Sequence, residues 1–170
     1  MPFRWPTITI ITGSTKLTKK NFSMAYFTYD TSVLIARRSV DLRAKPSQFL
    51  LSSVVLMELT FSSKENSQRK YYEYLFQDYR HDNSLIVPND ADWLLAGKIL
   101  FLLTQRRRKV EGGRLHRLAP GMAQRMALDA LLAASARRWK AAVVTENWRD
   151  FKAIQRFCSV QLIKASDFFR

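Results

Sequence analysis

Residues 29–38 read YDTSVLIARR, directly after the apolar run AYFT (25–28). A strand-like stretch meets an acid, and a helix-like stretch follows the acid. Asp30 in that place is an ordinary helix N-cap when considered alone. The chain, however, carries 28 Lys and Arg against 14 Asp and Glu, a formal charge of +14. Why a chain so basic keeps a carboxylate at this turn has to be answered from the rest of the sequence.

Outward from Asp30, short apolar runs alternate with longer helical patterns. Residues 25–29, 48–53, 84–88, 141–145 and 160–164 read as strands. Each is apolar with turn or polar residues near its ends. Residues 31–38, 53–62, 64–80, 90–105 and 120–139 read as helices, with Ser52 or Ser53 as an N-cap of the second. Strands alternating with helices predict an α/β domain, a parallel sheet of about five strands covered by helices on both faces. Strand one is expected at its centre. The segment 105–118, QRRRKVEGGRLHRL, is expected to be a loop broken by Gly112 and Gly113. Its Arg106, Arg107, Arg108, Lys109, Arg114 and Arg117 are read as contacts to RNA phosphates, with a solvated helix end as the equal alternative.

At 170 residues and 47% hydrophobic, the chain fits one domain with a real core and excludes a disordered one. Its one cysteine, Cys158, permits no intrachain disulfide and no CxxC metal site, which suits a reducing cytoplasm. The basic surface favours polyanions. Residues 1–23 carry four basic and no acidic residues. Their apolar run TITIITGST is too short and too threonine-rich to span a membrane. The domain is expected over residues 24–170, beginning at Met24, with 1–23 a dispensable extension.

Three further acids stand where acids are costly. Glu58, in VVLMELTF, has Val54, Val55 and Phe61 as helical neighbours. Asp129, in MALDALLAAS, has Met126, Leu132 and Ala133, with Arg125 one turn before it as an ordinary pairing partner. A carboxylate on an apolar stripe has to be paired, protonated or bound to a cation. After strand four, TENWRDF offers Thr145, Asn147 and Asp150 as oxygen donors, in a place that also suits a turn and a cap. In open α/β sheets, ligands bind beyond the carboxyl ends of the strands, so Asp30, Glu58, Asp129 and Asp150 are expected at one end of the sheet. Such a cluster needs a cation. Oxygen donors without His or Cys suit Mg²⁺ or Mn²⁺, ions that activate water and stabilise charge on a phosphate. An acidic metal pocket on a basic surface is the layout of a nuclease.

Four motifs carry a resemblance. YDTSVLI (29–35), SSVVLMEL (52–59), LDALLAASA (128–136) and TENWRDF (145–151) are similar, in order and spacing, to the four acidic motifs of PIN-domain ribonucleases, in particular the VapC-type toxins of bacterial type II toxin–antitoxin systems. The resemblance implies a three-layer α/β/α fold with a central parallel sheet and RNA cleavage dependent on Mg²⁺ or Mn²⁺. Asp30, Glu58 and Asp129 match the metal-binding acids, and Asp150 the fourth. Ser32 matches a position that orients the first acid, and Asn147 stands where some members carry another acid. The resemblance further implies a small antitoxin that wraps the apolar segments 68–79 and 93–103 and inserts an Arg among the acids, and a homodimer. Two rival readings remain. One is a PIN-like module that binds RNA without cutting it. The other is a receiver-like phospho-signalling domain built on Asp30, Asp90, Thr145 and Lys164, which leaves Glu58 and Asp129 without a task.

Overall fold

The computed structural model describes residues 26–37, 40–110 and 120–170. The extension 1–23, Arg114 and Arg117, and the side chains of Arg106, Arg107, Arg108 and Lys109 lie outside the described residues. In chain order the elements are β1 (Tyr26–Tyr29), α1 (Thr31–Ala36), a 3-10 turn (Leu42–Ala44), β2 (Leu51–Ser52), α2 (Ser53–Phe61), α3 (Asn66–His81), β3 (Leu85–Ile86), α4 (Asp90–Val110), α5 (Pro120–Arg138), β4 (Ala141–Thr145), α6 (Trp148–Gln155), β5 (Gln161–Lys164) and α7 (Ala165–Phe168).

All strand pairs are parallel, as the alternation predicts. Among the described residues the strands do not form a single five-stranded sheet. β1, β4 and β5 make a three-stranded sheet in the order β1-β4-β5, and β2 and β3 make a separate pair. β1 is thus a terminal strand of the three-stranded ladder, with β4 in its middle, and β1's other side meets residues 48–50. The two sheets touch through one parallel bridge, Phe27 to Phe49. There the Phe27 amide donates to the Gln48 carbonyl (2.9 Å) and the Leu50 amide to the Phe27 carbonyl (2.8 Å). Competition from helix starts explains the break. Ser52 is already the N-cap of α2, its hydroxyl accepting from the Val54 amide at 3.2 Å, so β2 ends after two residues. β3 runs into Val87 and Pro88, and Pro88 has no amide to extend a ladder.

Burial on both faces makes the structure three-layered. Successive side chains of a strand point to opposite faces. Val143 joins a core with Ile99, Leu103, Leu131, Leu132, Phe151 and Ile154 from α4, α5 and α6. The next residue, Val144, joins a second core with Val33, Leu75, Tyr79 and Ala165 from α1, α3 and α7. All five residues of β4 are buried. Ala130, Ala133 and Ala136, each fully buried, bring α5 close to the sheet. At the far end of α5, the Arg138 guanidinium donates to the buried Asp92 carboxylate (2.8 Å) and to the Val87 carbonyl (2.8 Å), which clasps the start of α4.

The expected loop at 105–118 is corrected in its first part, because α4 continues to Val110. Arg and Lys are good helix formers, cations suit a helix C-terminus, and the basic run itself holds no glycine before Gly112.

Candidate active site

Asp30 ends β1 and occupies the N-cap position of α1, but its carboxylate makes no capping hydrogen bond. It accepts instead from the Ser32 hydroxyl (2.5 Å) and the Thr145 hydroxyl (2.9 Å), so Thr145, 115 positions from Asp30, shares one carboxylate oxygen, Oδ2, with Ser32. This convergence follows from the parallel β1–β4 pairing, in which Tyr29 stands opposite Val144. Asp30 is 3% exposed, and burial raises its pKa against the opposing pull of the two hydroxyls and the nearby Thr31 and Ser32 amides. It is a buried acid held by side chains, and not a helix cap in the usual sense.

Glu58 lies on α2, half-buried, and accepts from the Thr31 hydroxyl at 2.5 Å. Burial raises its pKa, the Thr31 bond lowers it, and the charge of Asp30 raises it further. Its expected apolar face is corrected in one respect: Val54 and Val55 are buried, but Phe61 is 92% exposed. The helix turns Phe61 to solvent while Glu58 looks toward Asp30. Thr31 was not singled out from the sequence as a site residue. Its only signal there is its place between Asp30 and Ser32 in the first motif.

Asp129 sits mid-helix on α5, buried among Met126, Leu132 and Ala133. Its pKa is pushed up to about 8, first by burial and then by the charges of Asp30, Glu58 and Asp150. Arg125 opposes this but is the smallest influence. The Asn147 side-chain amide donates to Asp129 (3.2 Å) and to Asp150 (3.1 Å), bridging α5 to α6. The Asn147 backbone amide in turn donates to the Thr145 hydroxyl at 2.8 Å. Glu146 is exposed and pairs with Arg37 at 3.1 Å, while its backbone amide donates to the Ser32 hydroxyl (3.2 Å).

The structure thus brings Asp30, Ser32, Glu58, Asp129, Thr145, Asn147 and Asp150 to the C-terminal end of β1 and β4. Four carboxylates from four segments feel one another there. Their donor set is all oxygen, buried at Asp30 and Asp129 and half-buried at Glu58 and Asp150, and mutually repelling, and that chemistry fits a hard divalent cation. As they stand, no three His, Cys, Asp or Glu side chains among the described residues converge to metal-holding distance. The carboxylate oxygens are turned toward Thr31, Ser32, Thr145 and Asn147 instead. Asp90, needed by the receiver-like reading, is exposed at the start of α4. It follows β3, which pairs with β2, whereas Asp30 follows β1, which pairs with β4. No helix among the described residues is long and apolar enough to cross a membrane.

No protein-family profile matches the sequence, and neither does any curated protein. Solved structures do match. The chain is similar to a chain of the DNA-bound VapBC from Salmonella typhimurium, at 18% identity over 83% of this chain and 98% of that one, with a TM-score of 0.50. It is similar to VapBC-1 from nontypeable Haemophilus influenzae, at 19% identity over 83% and 98%, TM-score 0.50. FitAB bound to a DNA fragment matches at 16% identity over 81% and 94%, TM-score 0.50. At such identities the likeness is one of fold. The chain has the α/β/α fold shared with these VapBC structures, the PIN fold that its four acidic motifs imply.

Proposed function

We propose that the chain is an endoribonuclease dependent on Mg²⁺ or Mn²⁺ and the toxin half of a type II toxin–antitoxin pair. The observation that carries this is the meeting of Asp30, Glu58, Asp129 and Asp150 at one strand end, with Asp129 held near 8 by burial and by the other three. Their hydrogen-bond partners Thr31, Ser32, Thr145 and Asn147 are neutral, and the four acids also stand beside one another, which is costly unless a cation offsets the repulsion. Asp30, Glu58 and Asp129 would hold the ion, with Asp150 as a fourth ligand and Asn147 sharing its place. When bound, the ion supplies an activated water and positive charge against the phosphate under attack. Ser32 and Thr145 orient Asp30, Thr31 orients Glu58, and Asn147 holds Asp129 and Asp150 in register. The basic surface concentrates RNA near the pocket, with the Arg106, Arg107, Arg108, Lys109, Arg114 and Arg117 run as the proposed phosphate contacts.

Asp30→Asn tests the reading on a mixed RNA substrate. Cleavage should fall by more than the roughly 10–100-fold that loss of a residue merely supporting a ligand costs. Asp150→Asn should keep part of the activity, because Asn147 remains. Undiminished cleavage in EDTA, or full activity in Asp30→Asn, would sink the metal-nuclease mechanism. It would favour the RNA-binding module that does not cut.

The proposed partner is a small antitoxin. An apolar groove between α2 and α3 is lined by Leu56, Met57, Phe61, Tyr72 and Phe76. On α4, Trp93, Leu94 and Phe101 are 62%, 79% and 61% exposed. An antitoxin arginine reaching Asp30 and Asp129 would make charge-assisted hydrogen bonds in place of the ion. A homodimer belongs to the same proposal. The product of an adjacent small reading frame is expected to co-purify with this chain and to relieve growth arrest on co-expression. If it does neither, the antitoxin reading is wrong.

A further inference from the structure

Trp148 opens α6, immediately after the bridging Asn147, and is half-buried. Two ammonium groups share its ring. Lys152 Nζ, one turn along α6, lies 5.1 Å from the ring centroid, and Lys164 Nζ, at the end of β5, lies 5.2 Å from it. The β4–β5 register sets Lys164 opposite Thr145, whose hydroxyl holds Asp30. The cluster therefore forms the β5 side of the acidic pocket's rim. Both lysines are exposed, and neither is in an ion pair among the described residues. Lys152 donates only to the neutral Gln155 side chain, at 2.7 Å.

Two like charges from different elements, gathered on one indole without a carboxylate between them, repel each other and call for an anion. The four acids next door repel phosphate, so a polyanion can approach them only over cations at their rim. Both cations lie over the ring, so a base stacking on the indole displaces them from its face, and on their flexible stems they stay within reach of the flanking phosphates. Single-stranded nucleic acid is held in this way, by bases stacked on aromatic rings and a backbone tracked by cations.

We propose that Trp148, Lys152 and Lys164 form a docking platform for single-stranded RNA beside the bond to be cut. A base stacks on the indole and the flanking phosphates meet the two ammonium groups. The platform rests on the nuclease reading for its substrate, but binding and cleavage separate experimentally.

The test is binding of a short fluorescein-labelled single-stranded RNA of mixed sequence, measured by anisotropy in EDTA, where cleavage is off. Trp148→Ala should weaken binding about tenfold, and Trp148→Phe should keep most of the affinity. Lys152→Gln and Lys164→Gln should each lower the slope of log K against log salt by about 0.7. Thermal melts accompany each variant. If Trp148→Ala fails to fold, the exposed Lys152→Gln/Lys164→Gln pair and Trp148→Phe decide the matter. Wild-type affinity in a folded Trp148→Ala overturns the platform. So does an unchanged affinity and salt slope in the double lysine variant, or loss confined to the lysines with the ring indifferent. Trp148-dependent binding without cleavage in Mg²⁺ or Mn²⁺ would instead remove the nuclease reading and leave the platform standing.

Discussion

Asp129→Asn is expected to abolish RNA cleavage while stabilising the metal-free protein. The first effect follows from its proposed place among the metal ligands, and the second from electrostatics. The folded carboxyl titrates at about 8 and its ordinary value is 3.8. Between those values the folded chain holds a proton that the unfolded chain has released. Stability is then fully present below pH 4 and is lost as pH rises toward 8, at up to about 1.4 kcal/mol per pH unit. Asparagine carries no such charge, and its side-chain oxygen still accepts from Asn147. Melts in EDTA should therefore diverge with pH: the variant and the wild type together near pH 4, the variant higher at pH 8. Mg²⁺ should raise the wild type at pH 8 and leave the variant unmoved. Parallel melting curves across this range, or a cleaving variant, would refute the account of Asp129. A purely structural acid would behave in the opposite way, with neutralisation lowering stability and sparing specific activity.

Phe151→Ala is expected to cost about 3–5 kcal/mol, the usual loss when a buried aromatic ring is truncated. Phe151 is fully buried in the core shared by α4, α5 and β4, and it docks α6 there together with Ile154. Its backbone amide donates to the Asn147 carbonyl, so the ring anchors the turn that carries Asn147, Trp148 and Asp150. Cleavage per folded molecule should fall as well, because the Asn147 bridge between Asp129 and Asp150 loses its footing. Phe151→Leu should recover much of both. Guanidinium unfolding measures the first effect. A loss under about 1 kcal/mol would mean that α6 is held by something other than this ring.

Much of this protein can be read without its tertiary structure. The run AAVVT before a polar turn predicts a strand with apolar residues on both faces, and β4 is buried throughout. Alternating apolar runs and helical patterns predict parallel pairing, which every ladder shows. The acids Glu58 and Asp129 stand out because a carboxylate among buried apolar neighbours is costly wherever the chain places it. These features depend on residue type and local spacing alone.

What needed the fold is whatever depends on two distant segments competing or meeting. The sheet divides because Ser52, readable both as the end of β2 and as the N-cap of α2, satisfies the Val54 amide and starts the helix, and only the fold decides between the two. Helix α4 overruns its expected end because the basic run that reads as a solvated loop is also good helical sequence. Phe61 faces water although its period suggests a core face. The Thr31–Glu58 bond, the bridging of Asp129 and Asp150 by Asn147, and the pairing of Lys152 and Lys164 on Trp148 are likewise invisible in one dimension. Residue types and periodicity determine which groups are costly to bury. Only strand order and register decide which of those groups share one small volume, because hydrogen bonds and charge interactions act over a few ångströms of space whatever their separation along the chain.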